Sequence, residues 1–497
     1  MNEMAVAVLL LAPTIGGLAA WRLRGRTVEL VTLAAYWVSA AAGVGLALAV
    51  AHSGRIVAWR GVVAIDALGA YVLVLTLIVA GLALWASPRY IHHELVDEHL
   101  RPKDEGRYYA LLLGFIATLM AVPIFDNLGL LWVAIEATTI VSALLVGMNR
   151  TPDAIEAAWK YLILGTIGVG FALLATLLAY ASSVHVMGES SDALNWTRLI
   201  AIAPSLNPNL LRLSFVFALA GYGTKAGLVP FHTWLPDAHS QAPSPVSALL
   251  SGGSIMVALY ALVRFHLVAT AGLGPGFSST LLVIFGLLSM AVALPFMIRQ
   301  EDLKRLLAYS SIEHMGLLVA GIGFGGPLAL LGVALHMGLH AVTKATLFLS
   351  AGELVQRYGT RRLSAIRGTL AVAPVAGGAL GGGILLLGGL PPSGIFVTEF
   401  AIVIGGATHG YGFAAAIAAL LLASCFVALA VHGSRILWGH PGPLESLEAA
   451  RGIGIGSGTA LRLAGPLLAV AALGLWTPGP LATALDSIRA ILGATRV

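Results

Sequence analysis

Charge is scarce in this sequence. Asp, Glu, Lys and Arg make up 10% of its 497 residues, against about a quarter in a soluble globular chain. That scarcity excludes a water-soluble enzyme. Cysteine is nearly absent: Cys425 alone is present, which excludes an internal disulfide and any multi-cysteine metal or iron–sulfur site. In its apolar helical setting Cys425 reads as a small core residue. There is no nucleotide fingerprint and no nucleophile elbow. The glycine-rich runs 377–383 and 388–389 are followed by no Lys-Ser/Thr, so they read as close helix packing or hinges rather than phosphate loops. No polar stretch is long enough for a soluble domain.

What is there is hydrophobic: 58% of residues, with a mean hydropathy of +0.91. The chain is therefore an all-α polytopic membrane protein. A hydrocarbon core of about 30 Å needs about 20 apolar residues per helix. That window gives fourteen spans: 4–21, 28–50, 66–86, 108–124, 127–147, 158–181, 210–235, 244–268, 278–298, 305–325, 327–350, 369–406 with an internal break, 411–438 and 462–476. The first apolar run lacks a basic n-region, and its arginines (Arg22, Arg24, Arg26) follow it, so it reads as a first span, not a signal peptide. Residues 478–497 have mixed polarity and read as an interfacial piece. The longest loops are 87–107 and 182–209. With the N-terminus outside, alternating loops place 18 basic residues inside and 7 outside, Arg264, Arg451 and Arg496 among those assigned to loops. The positive-inside bias then puts both termini outside. The formal charge of +5 sets orientation and carries no argument for nucleic acid.

Two spans are interrupted. Span 7 is expected to break at Pro230, and span 12 at Leu390-Pro391-Pro392-Ser393-Gly394. Counting back from each break gives two five-helix units, 108–268 and 278–438, preceded by helices 1–3 (1–107) and followed by helix 14 and its tail (439–497). An odd number of spans per unit makes the units inverted. Paired broken helices in inverted halves point to a transport site near the midplane.

Ionisable residues inside spans are costly, and so each is a candidate for function. Glu136 sits mid-span in LLWVAIEATTIVSALLVG, and Lys225 lies deep in the apolar part of span 7. His232, Asp237 and His239 follow the Pro230 break. His336, His340 and Lys344 recur at i, i+4 and i+8, a stripe of protonatable groups along one helix face. Glu313 and His314 hold the place in the second unit that Glu136 holds in the first, and Glu399 follows the second break. Lys160 is ambiguous, because Glu156 four residues earlier makes a favourable surface pair. A zinc site at His336 and His340 lacks a third ligand. His92, His93 and His99, among Glu94, Asp97 and Glu98, read as a solvated charged loop.

Three phrases carry a family resemblance: Thr224-Lys225-Ala226-Gly227-Leu228-Val229-Pro230-Phe231-His232-Thr233-Trp234-Leu235-Pro236-Asp237-Ala238-His239, Asp302-Leu303-Lys304-Arg305-Leu306-Leu307-Ala308-Tyr309-Ser310-Ser311, and His336 through Phe348. The chain resembles the antiporter-like, proton-translocating membrane subunits shared by complex I, multi-subunit sodium/proton antiporters and membrane-bound hydrogenases. Ile135-Glu136-Ala137-Thr138-Thr139, Ala158-Trp159-Lys160-Tyr161 and residues 240–247 resemble component F of hydrogenase-4 and formate hydrogenlyase-type complexes in particular. The resemblance implies that Glu136 pairs with Lys225, that His336 and His340 lead to a central Lys344, and that Glu399 closes the path. Relatives often carry a lysine or histidine in span 8, where this chain has Met256. Tyr260 or water would then link the two halves.

The reading is a proton-translocating subunit of a membrane-bound, energy-converting oxidoreductase complex in the cell membrane. The resemblance implies no cofactor or metal in this chain. Iron–sulfur and nickel–iron centres would lie in peripheral redox subunits, and its membrane partners would be antiporter-like and quinone- or hydrogenase-type anchor subunits. A sodium/proton antiporter subunit of the Mrp type and a complex I subunit are the alternatives. A passive scaffold with frozen charges is a third class.

Overall fold

The computed structural model describes residues 2–98, 100–440 and 457–493. His99, Arg451 and Arg496 lie outside them. Helices α1 (Asn2–Ala20) and α2 (Gly25–Ser53) lead to a β-hairpin, β1 (Arg55–Ala58) and β2 (Val63–Asp66), in antiparallel register with Arg55 opposite Asp66. The hairpin was not expected in an all-helical reading. Helices α3 (Ala67–Val96), α4 (Asp104–Ala121), α5 (Leu128–Val146) and α6 (Pro152–Met187) follow. The expected loop 87–107 is therefore mostly helix, since α3 continues through Pro88 to Val96. The loop 182–209 contains the end of α6 and a short α7 (Trp196–Ile202).

Next come the two broken spans and their neighbours. Helices α8 (Pro208–Ala226) and α9 (Trp234–Gln241) form the first broken span. A short α10 (Ser244–Leu249) runs through a π-helical turn, Leu250–Ser254, into α11 (Ile255–Leu273). Then follow α12 (Pro275–Ile298), α13 (Leu303–Phe324), α14 (Pro327–Tyr358) and the single turn α15 (Thr369–Val372). Helices α16 (Pro374–Leu387) and α17 (Gly394–Gly406) form the second broken span, and α18 (Gly412–Trp438), α19 (Ser457–Leu475) and α20 (Gly479–Gly493) complete the described chain.

Twelve segments among the described residues are long and apolar enough to cross a membrane. The broken span α8–α9 adds a thirteenth. The 45-residue stretch Gly394–Trp438 turns at Gly410, with φ +93°, and so counts as two passes, giving fourteen. Spans α10–α11 and α13 are buried throughout their apolar cores, and α14 over most of its own. These three make the centre, while α1, α2, α18 and α19 show lipid-facing sides.

Both breaks are built the same way. Helix α8 ends at Ala226, four residues before Pro230, because Gly227 adopts a left-handed conformation (φ 80°, ψ 25°). Gly227 N donates to Thr224 O and Leu228 N to Gly223 O, at 3.1 and 2.8 Å. In α16, Gly389 N donates to Leu386 O and Leu390 N to Leu385 O, at 3.2 and 3.0 Å, with Gly389 at φ +72°. This is the glycine-terminated Schellman motif, which only a residue free to reach positive φ closes without strain. The breaks thus read Gly227-Leu228-Val229-Pro230 and Gly389-Leu390-Pro391-Pro392. Helix termination falls at the glycine, and the proline follows it.

Small residues let the central helices approach. A Cβ on Gly286 of α12 would lie 2.5 Å from Gly316 O, and one on Gly316 of α13 would lie 2.6 Å from Gly286 O. In a membrane such backbone-to-backbone contact supplies much of the helix association energy. Gly316→Val is expected to destabilise the folded protein by about 1–3 kcal/mol. It should show earlier melting in detergent than wild type; an unchanged melting temperature would contradict the contact.

Candidate functional site

The stripe on α14 meets a matching face of α13. Lys344, fully buried, donates to Leu307 O at 2.8 Å and to the Ser310 hydroxyl. One turn further along α13 stands Glu313, whose Oε2 is 3.4 Å from His314 Nε2. His314 Nδ1 lies 3.1 Å from His336 Nε2, and His336 Nδ1 lies 2.8 Å from the Thr398 hydroxyl on α17. Glu399, the next residue, has its Oε1 4.0 Å from His314 Nδ1. The His340 ring centroid is 5.2 Å from that of His314, and neither His340 nitrogen has a partner. Three helices thus bring Lys344, Glu313, His314, His336, His340 and Glu399 together in a buried row.

Hydrogen-bond accounting gives the row a direction. The Thr398 hydroxyl donates to Ile395 O at 2.8 Å, so it accepts from His336 Nδ1. His336 Nε2 is then the acceptor in the neutral ring, and His314 Nδ1 donates to it. His314 Nε2 then faces the Glu313 carboxyl at 3.4 Å. A proton taken up at His314 Nε2 can shift the Nδ1 proton to His336 Nε2, and release beyond His336 requires the Thr398 hydroxyl to turn from Ile395 O toward another acceptor. Glu399, approached by His314 Nδ1, occupies the second break: a Cβ on Gly389 would collide with its Oε2.

The first half is arranged differently from the expectation. Lys225, in the last turn of α8 and fully buried, donates to the Thr139 hydroxyl at 2.9 Å and the Tyr161 hydroxyl at 2.6 Å. Glu136 does not form the ion pair that the resemblance implies. It is half-buried, accepts from the Thr166 hydroxyl at 3.1 Å, and leaves Oε2 without a partner. Thr139 is three residues on from Glu136 along α5, so the carboxylate lies a helical turn from the lysine's ligand. Tyr161 passes its own hydrogen to Ser142 Oγ at 2.7 Å, since Ser142 donates to Thr138 O. Its ring stacks on Trp234, 4.5 Å between centroids, whose Nε1 bonds Thr224 O across the break. His232 is buried in the break with Nδ1 unpartnered.

The remaining candidates divide. His239 is fully buried, stacks on Phe348 at 4.7 Å one turn beyond Lys344, and has two unpartnered nitrogens. Asp237 and Lys160 fall in a surface network instead. Lys160 reaches Glu156 at 2.6 Å and Asp237 at 3.4 Å, and Asp237 also meets Arg305 at 3.1 Å. Asp237 lies seven residues after Pro230, as Glu399 lies seven after Pro392. Tyr260 does not link Lys225 with Lys344. Its hydroxyl bonds Pro123 O at 3.2 Å, and its ring lies 4.6 Å from the guanidinium of Arg264. Arg264, assigned to an outer loop by sequence, is fully buried in α11. It makes a two-pronged bond with Asp66 at 2.8 and 2.6 Å. Burial raises the Asp66 carboxyl, but the Arg264 guanidinium beside it outweighs this and holds it below the usual carboxylate range.

Sequence reasoning missed several participants. Thr139, Tyr161 and Ser310 hold the two lysines, and hydroxyl residues give no signal until packing places them. Lys304, read as a loop residue, is buried and donates to Ala242 O at 2.5 Å. Beside Met256, the π-helical turn brings Ser251 within 2.9 Å of Ser311, which shares the Leu307 carbonyl with Lys344.

A family model described as NADH:quinone oxidoreductase/Mrp antiporter, TM, matches residues 126–426. The chain belongs to this family. The match contains every residue of both half-sites. Among its relatives, a hydrogenase-4 component F homolog from Methylacidiphilum infernorum is 39% identical over 391 residues, covering 77% of this chain and 81% of that protein. An NADH-quinone oxidoreductase subunit N from Desulforudis audaxviator is 34% identical over 313 residues, covering 61% of this chain and 59% of its own length. A chain in the structure of the membrane-bound sulfane sulfur reductase, an archaeal respiratory membrane complex, shares the fold with a TM-score of 0.85 at 21% identity, covering 99% of this chain and 97% of that one.

Because Tyr161 and Lys225 act through one hydrogen bond, their substitutions should not add. Tyr161→Phe and Lys225→Met each should slow proton pumping by the assembled complex, and the double variant should be no slower than Lys225→Met alone. Additive losses would break the link.

Proposed function

We propose that this chain is a proton-translocating, antiporter-like subunit of a membrane-bound, energy-converting oxidoreductase complex of the hydrogenase-4 or formate hydrogenlyase type. The observation that carries the reading is the buried cluster in which His314 meets Glu313, His336 and Glu399, with Lys344 held on Ser310 one helical turn from Glu313. Ionisable groups at membrane depth are too costly to be kept as packing. Here His314 touches Glu313, His336 and Glu399, the group reaches a helix break, and His314 and His340 keep ring nitrogens without a partner. The hydrogenase-4 relative supports the choice of complex.

On this reading the redox chemistry, with its iron–sulfur and nickel–iron centres, takes place in peripheral partner subunits. Membrane partners cover the lateral face of α5 and α6, where Glu136 is only half-buried among exposed Val133, Ile140, Ile163 and Ile167. The chain sits in the cell membrane with the face bearing Arg101, Arg107 and Arg150 inside. Those three arginines converge on Asp104 at 2.9, 3.1 and 3.1 Å.

Lys344→Ala and Glu399→Gln are each expected to cut proton pumping about tenfold or more in inverted vesicles, with assembly intact on native gels. Undiminished pumping in assembled variants would leave only a scaffold. Withholding sodium should leave the wild-type rate unchanged; a strict sodium requirement would move the assignment to a sodium/proton antiporter. Orientation is read separately. In a Cys425→Ala background, Arg55→Cys should react with an impermeant maleimide in whole cells. Arg101→Cys should react only after permeabilisation, and the reverse pattern would invert the topology.

A further inference from the structure

A polar cleft of about 430 Å³ opens on the arginine-bearing face, away from both half-sites. Its walls are the α12–α13 connection, the segment after α14 and the last turns of α18. These walls are fixed by backbone pairing: Leu303 N donates to Arg361 O at 3.0 Å and Leu363 N to Glu301 O at 2.8 Å. At one edge, His432 Nε2 lies 3.0 Å from Met297 O and ties α18 to the end of α12.

Three arginines line this cleft: Arg362, Arg367 and Arg435. All three are exposed, and among the described residues none is engaged in an ion pair. Among the described residues Glu301 is the one carboxylate of the lining, so these side chains together carry about two positive units at neutral pH. Several other basic residues of this face do have a carboxylate partner, whereas no ion pair among the described residues engages Arg22, Arg24 or Arg26. Arg101, Arg107 and Arg150 share Asp104, while Arg89 and Arg462 share Glu353. Gly439 packs against the Arg367 stem, where an added Cβ would sit 3.2 Å from its Cβ and Cδ.

The sides of the cleft decide what kind of anion it suits. Flanking it, α12 exposes Phe296 and Ile298 in its last turn, and α18 exposes Val427 and Val431 before Arg435 and Trp438 one turn after it. A large aromatic at the membrane boundary marks headgroup level. An occupant here meets cationic forks and, flanking them, lipid-facing hydrocarbon. We infer that the cleft binds the phosphate headgroup of an anionic phospholipid, with acyl chains lying along α12 and α18. Arg362, Arg367 and Arg435 would grip the phosphate, since a guanidinium matches its oxygens two at a time.

The test titrates the purified full chain in detergent with fluorescent phosphatidylglycerol, against phosphatidylcholine as the neutral lipid. Each arginine near the surface is worth about fivefold in affinity. The variant Arg362→Gln/Arg367→Gln/Arg435→Gln should therefore bind phosphatidylglycerol roughly a hundredfold more weakly, with an unchanged melting temperature without lipid. Arg22→Gln/Arg24→Gln/Arg26→Gln, on the same face, should bind as wild type does. Equal affinity in wild type and the cleft variant would overturn the site. So would equal losses in both triple variants, which would mean a diffuse surface charge. Full displacement by equimolar inorganic phosphate would also overturn it, reassigning the cleft to a free anion. An acidic peptide that outcompetes the lipid would reassign it to a protein partner.

Discussion

An ammonium ion inside a membrane must be solvated by fixed oxygens, and the choice of those oxygens governs the rest of this structure. Neither Lys225 nor Lys344 is held by a carboxylate. The first is held by the hydroxyls of Thr139 and Tyr161, the second by the Leu307 carbonyl and the Ser310 hydroxyl. In each case a carboxylate stands one helical turn from a ligand: Glu136 from Thr139, Glu313 from Ser310. A direct ion pair would lock both charges, because breaking a buried pair costs several kcal/mol. A carboxylate a turn away acts more gently. Two unit charges about 7 Å apart in an effective dielectric of about 20 interact by about 2.4 kcal/mol by Coulomb's law. Moving a proton against about 100 mV needs about 2.3 kcal/mol. Neutral ligands thus keep the lysine–carboxylate coupling in the range where protonating one group can bias the next without trapping it.

The two breaks place the ends of this system. Ending a helix inside a membrane frees backbone groups that water cannot satisfy. At the first break Val229 N finds the Ser289 hydroxyl on α12 at 3.0 Å, and Trp234 Nε1 takes up Thr224 O. At the second, the Ser393 hydroxyl accepts from Phe396 N at 3.1 Å and starts α17. The shared Gly-Leu-x-Pro construction puts an acid seven residues past each proline, Asp237 in one span and Glu399 in the other. The two acids have diverged in surroundings. Asp237 is bound to Lys160 and Arg305 near a surface, whereas Glu399 is buried beside His314.

How much of this could be read from the sequence depends on distance along the chain. The i, i+4, i+8 stripe of His336, His340 and Lys344 is a local pattern, and helix geometry alone places the three on one face. Glu313 and His314 stood out as charge in an apolar span. The fourteen passes followed from apolar runs. Contacts across helices were not legible. Tyr161 adjoins Lys160, yet the neighbour with the visible charge falls in a surface ion-pair network while the tyrosine holds Lys225. Arg264 and Asp66 are 198 residues apart, so nothing local revealed that each neutralises the other. The π-helical turn depends on packing of Gly252 and Gly253 against α3, α4 and α14, where added Cβ atoms would meet Val79, Leu119 and the Ala341 carbonyl.

Met256 sharpens what the connection between the halves must be. A further lysine in α11 would need its own set of oxygens and would repel both Lys225 and Lys344. With methionine there, the polar contacts near the centre are neutral: Ser251 to Ser311, and Ser311 with Ser310 onto the Leu307 carbonyl that Lys344 also uses. Hydroxyls reorient without carrying net charge. A change in the charge of Lys344 alters how strongly it competes for that carbonyl, and Ser311 and Ser251 must adjust their donors in response. If the halves are coupled on the proposed function, coupling through this point passes as hydrogen-bond polarity, with no lysine at position 256. The cost of solvating another ammonium is thereby avoided, and the fully buried α10–α11 span keeps its close packing against α14.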